Sequence, residues 1–522
     1  MKRPFSIIGS HITKIGIIVT ILLISTLLNL RVDTSRDKAF SISKISKNLV
    51  RDLDEAMVVK IISTRELPAE LTSLSRYTSD LLAEFQSASR GKFRYEYIRP
   101  ASFEELSQLA AANNLRPMRF QNFENDRMTS KEVIFGMVIE YQGRVESMNL
   151  MPSLEPKLEY EMTMRIQSLV SDTLPKVAVF RDSTYYHFNT RFFERGIKSN
   201  FNVIDADLSK PLDDVDALLF TGASRNLPEE YLYHIDQYLM SGGKVVFLQD
   251  KVDTDGQNLY SLNTNVIRML DHYGFQLSTD VLLDMNCDQR QMGIGNIANF
   301  PMYPIMRGSN HIISRGMDYI VLYLASGITV KPGNGVDFET ILQSSQYSGW
   351  MLAPEFKINE NLFFNPELED FSAGPVTTAT MGKGRFSSFF EDNPLAEADQ
   401  DFQKETNAGS VVLFADKELV IDPDNPIYND RSNVILNALD HLFDRDAMIS
   451  IRNRHLRKSP LMVRAFMEKN GIIWGDMEKI ENNLKLIAKI VAIALPPLIL
   501  ILVGLWLAFK RRLKLRTLNE EK

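Results

Sequence analysis

Residues 216–250 read DALLFTGASRNLPEEYLYHIDQYLMSGGKVVFLQD, and this stretch decides the fold class. Ala217 to Phe220 is a short apolar run with the length of a buried strand. Pro228 opens a helix, where a missing N–H costs nothing. Leu232, Ile235 and Leu239 then fall on one face of a helix ending at Met240. Ser241-Gly242-Gly243 closes it, with a glycine supplying the left-handed C-cap. Lys244 to Leu248 (KVVFL) is a second strand, ending in Gln249-Asp250. A strand, a helix and a strand joined this tightly form a βαβ unit.

The pattern continues on both sides. Upstream lie a strand at Lys176 to Phe180 followed by Arg181-Asp182, a helix at 192–199, and Val203-Ile204 ending in Asp205. Downstream lie a helix at 263–273 closed by Gly274, a strand at Val411 to Phe414 followed by Ala415-Asp416, and a helix at 433–443. Short β-branched strands alternating with amphipathic helices predict an α/β domain over 175–451, built on a parallel sheet with helices on both faces. Residues 285–405 do not fit that alternation. They are expected to be an insertion, with a mobile loop near 380–408 in the acidic run from Glu391 to Glu405.

A smaller unit precedes this domain, over 35–150. A helical stretch opens at Ser41–Lys44, and Val58 to Ser63 (VVKIIS) is a strand. Pro68 starts a helix with Leu71, Leu74, Leu81, Leu82 and Phe85 at helical spacing. FRYEYI (93–98) alternates like a strand, and 103–113 is helical. Two further strands bracket the turn Gln142-Gly143. The order β-α-β-α-β-β predicts a thioredoxin-like layout. Thiol redox chemistry is excluded, because the single cysteine, Cys287, lies elsewhere. Residues 151–174 form a linking segment whose helix spans 158–171.

Two uncharged apolar runs, Ile15 to Leu30 and Ile490 to Phe509, sit at the two ends. Each approaches the roughly 20 residues that cross a bilayer. Spans are expected at 15–31 and 489–509, leaving tails at 1–14 and 510–522 and a membrane-proximal helical segment at 452–488. Lys510, Arg511, Arg512, Lys514 and Arg516 follow the second span directly, which places both tails in the cytoplasm. Residues 33–485 then face the periplasm from a bacterial inner membrane, and membrane lipid is a partner. A cleaved signal peptide is the alternative for the first run, but its apolar core is too long and no small-x-small site follows. Pro496-Pro497 should kink the second span, which favours a partner helix beside it. The net charge of −7 argues against a nucleic-acid partner.

The motifs of common chemistry are missing. Gly242-Gly243-Lys244 lacks the first glycine of a phosphate loop, where Tyr238 stands, and its last position is Val245. Ser224 lacks the second glycine of a nucleophile elbow, where Asn226 stands. Cys287 reads as an inert small residue, and the seven histidines are scattered. No catalytic residue, metal or cofactor is assigned. One constellation stands out: Asp182, Asp250 and Asp416 each follow a predicted strand. Ligands of open α/β sheets bind beyond the carboxyl ends of strands. These three form a candidate crevice for a divalent ion or a basic or hydroxylated ligand. Aspartate after a strand also serves as an ordinary loop residue or helix N-cap.

Several motifs, in order, resemble a known family. Arg31-Val32-Asp33 with Phe40-Ser41-Ile42-Ser43, Glu159-Tyr160-Glu161, the 216–219 and 235–244 stretches, Asn437 to Leu442 (NALDHL) and Ile449 to Arg452 (ISIR) are similar to those of the gliding-motility auxiliary protein GldG. The chain departs from that family after its first central strand, where Arg181-Asp182-Ser183-Thr184 replaces a glycine-rich stretch. The resemblance implies a non-catalytic auxiliary subunit of an ABC-type transport complex, beside a separate P-loop ATPase and an ABC permease. It also implies a degenerate class I glutamine-amidotransferase-like central domain without a nucleophile. The extracytoplasmic part would recognise a partner or periplasmic cargo. A solute- or glycan-binding module is the alternative, and it requires a real crevice at the strand ends. A hydrolase has no supporting motif.

Overall fold

The computed structural model describes residues 42–454, apart from 125–126, 172–173, 184, 292–296, 318, 332–334, 358–360, 365–366 and 423–429. Both expected spans, both tails and nearly all of 452–488 lie outside the described residues. Among the described residues no helix is long and apolar enough to cross a membrane.

The first lobe carries β1 (Met57–Ser63), β2 (Phe93–Ile98), β3 (Met118–Glu124), β4 (Arg127–Val133), β5 (Phe135–Tyr141) and β6 (Arg144–Asn149). Four of these form a sheet in the order β2-β1-β5-β6. The β1–β2 pair is parallel and the other two pairs are antiparallel. The apolar residues of β1 and β5 are buried, and helix Ala69–Ala88 covers them with Leu71, Leu74, Leu81, Leu82 and Phe85. Each such side chain contributes about 1.5–3 kcal/mol when fully buried. The expected β-α-β-α-β-β order is present with one addition, the β3–β4 hairpin. Helix Leu158–Val170 completes the core with Leu158, Met162, Ile166 and Leu169.

The second lobe begins with β7 (Lys176–Phe180), β8 (Asn202–Asp205), β9 (Ala217–Phe220) and β10 (Lys244–Leu248). A small hairpin follows, β11 (Val252–Thr254) with β12 (Leu259–Ser261). Then come β13 (Phe275–Asp284), β14 (Cys287–Gln291), β15 (Ile297–Gly308), β16 (Ile320–Val321), β17 (Ser326–Val330), β18 (Val336–Gln343), β19 (Ser348–Met351), β20 (Thr377–Ser387) and β21 (Glu405–Phe414). The main sheet has ten strands. Nine lie in the order β14-β15-β18-β20-β21-β10-β9-β7-β8, and β16 pairs with β15.

This sheet corrects the expectation of a parallel one. From β8 to β21 the strands are parallel. From β21 to β14 they are antiparallel. The 285–405 stretch therefore supplies half of the main sheet, and the expected loop near 380–408 contains most of β20. The physical reason lies in β18, which reads VDFETILQ with alternating exposure along its first half. Such alternation belongs to strands with one solvated face, and antiparallel sheets tolerate that face where parallel ones do not. Phe220, Phe247, Leu218 and Leu413 build the core under the parallel half, with helices Glu229–Met240 and Asn265–His272 packed over it.

Candidate functional site

The parallel run of β7, β9, β10 and β21 brings their carboxyl ends to one edge. That edge carries Asp182, the Thr221–Ser224 turn, Gln249-Asp250 and Asp416-Lys417-Glu418 in succession. The Gln249 amide braces two of these turns: Oε1 accepts from Ala223 N at 2.9 Å, and Nε2 donates to the carbonyls of Ala223 and Asp250. Gly222 has φ +96°, and a Cβ there would stand 2.7 Å from Lys417 Cβ and 2.8 Å from the Leu248 carbonyl oxygen. The turn after β9 is thus a glycine because the segment after β21 is pressed against it.

Lys417 is the hub. Its ammonium is buried, 2.5 Å from Asp253 Oδ2 and 2.8 Å from Ser224 Oγ. Asp416 is wholly buried. Its Oδ1 caps the next turn by accepting from Glu418 N at 2.7 Å, and its Oδ2 accepts from Tyr323 N at 2.9 Å. Arg431 approaches Asp416 to 4.0 Å and lies 4.0 Å from the Tyr323 ring centroid. Asp250 is buried, with Oδ1 lacking a hydrogen-bond partner among the described residues. Burial pushes its carboxyl well above the usual range, against the pull of Lys417. Burial also raises Asp416, opposed by Arg431. Glu418 is pushed up to about 7, by burial first and by Asp416 next.

The structure brings the three predicted aspartates to one edge but not into one cup. Asp250 and Asp416 share the field of Lys417. Asp182 sits one turn away, accepting from Ser183 Oγ at 2.9 Å and from Ser224 N at 3.4 Å. The Ser224–Lys417 pair has the spacing of a nucleophile and its base. A lysine base must be neutral, however. Burial pulls the Lys417 ammonium down, but Asp250 and Asp253 outweigh it and hold it above its ordinary value. The ammonium is paired with the Asp253 carboxylate and the Ser224 hydroxyl. Among the described residues no group of three or more His, Cys, Asp or Glu is disposed to hold a metal.

A second polar assembly joins the motifs quoted above for their resemblance. Arg452 is buried on helix Asp446–Arg454. It donates to Tyr160 Oη at 3.0 Å, Asn437 Oδ1 at 2.5 Å, Asn200 Oδ1 at 3.1 Å and Asp440 Oδ2 at 2.6 Å. Asn437 in turn donates to the Ile313 carbonyl and to Asn453 Oδ1. One residue before Tyr160, buried Glu159 accepts from Ser43 N at 2.6 Å and from Ser46 Oγ at 2.9 Å. Ser43, from the first of these motifs, thus contacts Glu159, while Asn437 and Asp440 of NALDHL reach Tyr160 of EYE through Arg452 of ISIR. The sequence shows these motifs as carriers of a resemblance, with Ser41 or Ser43 as a helix N-cap, and assigns no contact between them. The available signal was Asn437 and Asp440, two polar residues at i, i+3 set among Val434, Ile435, Leu436, Ala438 and Leu439.

Comparison with known proteins supplies the family. Residues 174–440, about half of the chain, match the family described as an ABC-type uncharacterized transport system. Residues 36–140 match a domain of unknown function, DUF7088. An uncharacterized protein of Borreliella burgdorferi is 22% identical over 448 residues, covering 82% of this chain and 85% of its own length. Among solved structures, the mmIFT52 N-terminal domain overlays 52% of this chain and 97% of itself, at 13% identity and a TM-score of 0.33. Gan42B, a GH42 β-galactosidase, overlays 55% of this chain and 33% of itself, at 10% identity and a TM-score of 0.23. At these scores neither structural likeness carries an argument.

Proposed function

We propose that this chain, which belongs to the ABC-type uncharacterized transport system family, is the auxiliary subunit of a GldG-like transport complex. Its two apolar ends anchor it in the inner membrane, and residues 33–485 stand on the periplasmic side. A separate ATPase and a separate permease supply energy and passage, and this chain contributes recognition or mechanical support. The observation that carries the reading is the family match across the whole parallel half of the second lobe. The self-neutralised strand-end cluster supports a non-catalytic role, since its lysine is held charged rather than free to act as a base. A thioredoxin-like first lobe and a degenerate amidotransferase-like second lobe belong to the same proposal.

Co-purification tests it. The tagged full chain should bring down a polytopic permease, and a chain truncated before residue 489 should not. Equal recovery by the truncated chain contradicts the anchoring, and no permease with either chain contradicts the reading.

The unpartnered Asp250 Oδ1 favours a second reading, a solute-binding crevice at the strand ends. Calorimetry with calcium and neutral sugars tests it, and no heat at millimolar ligand eliminates it.

A further inference from the structure

We infer that helix Leu158–Val170 is a yoke that fixes both ends of the 42–454 body to one element, so that the body moves as a single rigid lever. The inference rests on the proposed anchoring at both ends.

The helix sits between the lobes in sequence, where a hinged two-lobed binding protein would carry its flexible strands. It is packed on three sides. Leu158, Met162, Ile166 and Leu169 recur at helical spacing and enter the first-lobe core. At 3.6 residues per turn, Glu159 and Thr163 lie on a flank of that face, and Tyr160 lies about opposite Leu158. The flank meets the amino end of the described chain: Glu159 takes Ser43 N and Ser46 Oγ, and Thr163 Oγ1 is 2.9 Å from Ser46 Oγ. The far face meets the carboxyl end: Tyr160 takes Arg452 Nε at 3.0 Å and donates to Asn200 at 3.0 Å.

Ser43 lies twelve residues beyond the first expected span at 15–31, and Arg452 lies near the carboxyl end of the described residues. Consecutive residues of one helix, with Cα atoms about 3.8 Å apart, therefore hold both ends of the described body. Every contact is buried or half-buried, where hydrogen bonds are strengthened and unpaired groups are costly. A displacement of one end is thereby passed to the other and to both lobes, without a clamshell closing between them.

The test is a distance distribution by pulsed electron–electron resonance on the full chain in nanodiscs. Spin labels go at Lys44→Cys and Ser450→Cys, both exposed positions, in a Cys287→Ser background. The yoke predicts one narrow peak, broadened at least twofold by Tyr160→Phe and by Arg452→Lys. A control pair at Glu230→Cys and Arg268→Cys, exposed positions within the second lobe, should keep its width and so separates loss of the yoke from loss of the fold. A broad parent distribution overturns the inference. So does a Tyr160→Phe distribution as narrow as the parent. Neither result depends on recovering a permease, so this inference and the proposed function fail separately.

Discussion

Replacing Arg452 with methionine is the sharpest perturbation of the junction. Methionine keeps much of the aliphatic volume, so the effect reports the guanidinium rather than a cavity. The guanidinium serves four acceptors, and its side chain and that of Asp440 are 2% and 0% exposed. Breaking a buried ion pair by removing one partner costs about 3–5 kcal/mol. Two features limit the loss here. Arg445 Nε stays 3.3 Å from Asp440 Oδ1, and Asn200 still receives the Tyr160 hydroxyl. Asn437 Oδ1 loses its donor, at roughly 1 kcal/mol. The expected cost is about 4 kcal/mol, read from urea unfolding of the detergent-solubilised full chain by far-UV circular dichroism. Adding Asp440→Asn removes the stranded charge and should recover about half of the loss. A single variant within about 1 kcal/mol of the parent would refute the reasoning, as would a double variant no better than the single.

Two further perturbations address the strand-end cluster. Glu418 has its carboxyl raised from 4.5 to about 7, so the folded state binds its proton more tightly than the unfolded state does. That contribution is fully present below pH 4.5 and is lost as pH rises through 7. At 1.36 kcal/mol per pKa unit it amounts to on the order of 3 kcal/mol. Glu418→Gln should therefore flatten the decline in stability across that window, as followed by unfolding midpoints at several pH values; an unchanged slope counts against the cause given. Gly222→Ala places a methyl against Lys417 and the Leu248 carbonyl at a left-handed backbone position. It should cost at least about 2 kcal/mol and lower the thermal midpoint by several degrees, while the same change at solvent-facing Gly256 should cost less.

The parts of this fold that were legible in the sequence share one physical property. KVAVF, ALLF and KVVFL are continuous apolar runs bounded by proline, glycine and aspartate, because strands buried on both faces need no polar alternation. Their helices were equally plain, since Leu232, Ile235 and Leu239 repeat at the helical period. β18 and β20 were not legible. Thr377, Thr380, Lys383 and Arg385 interrupt the apolar signal of β20, and its pairing with β21 is a long-range choice that no local pattern encodes. The β3–β4 hairpin was missed for a related reason: MRFQNFE and RMTSKEV are mostly polar and pair only with each other.

The site divides in the same way. Asp250 and Asp416 were readable as residues following strands. Lys417 was not, because its ammonium meets Ser224 across 193 positions of chain. The junction was visible as motifs but not as physics, since the partners of Arg452 come from three separate helices.

The central claim is that this chain works as a subunit of an ABC-type transport system. Its most direct test is affinity purification of the tagged full chain from native membranes in mild detergent, with quantitative mass spectrometry of the eluate. A P-loop ATPase and a polytopic permease recovered in fixed ratio to the chain is the predicted result. Recovery of the chain alone, from membranes where both of those proteins are abundant, would contradict it.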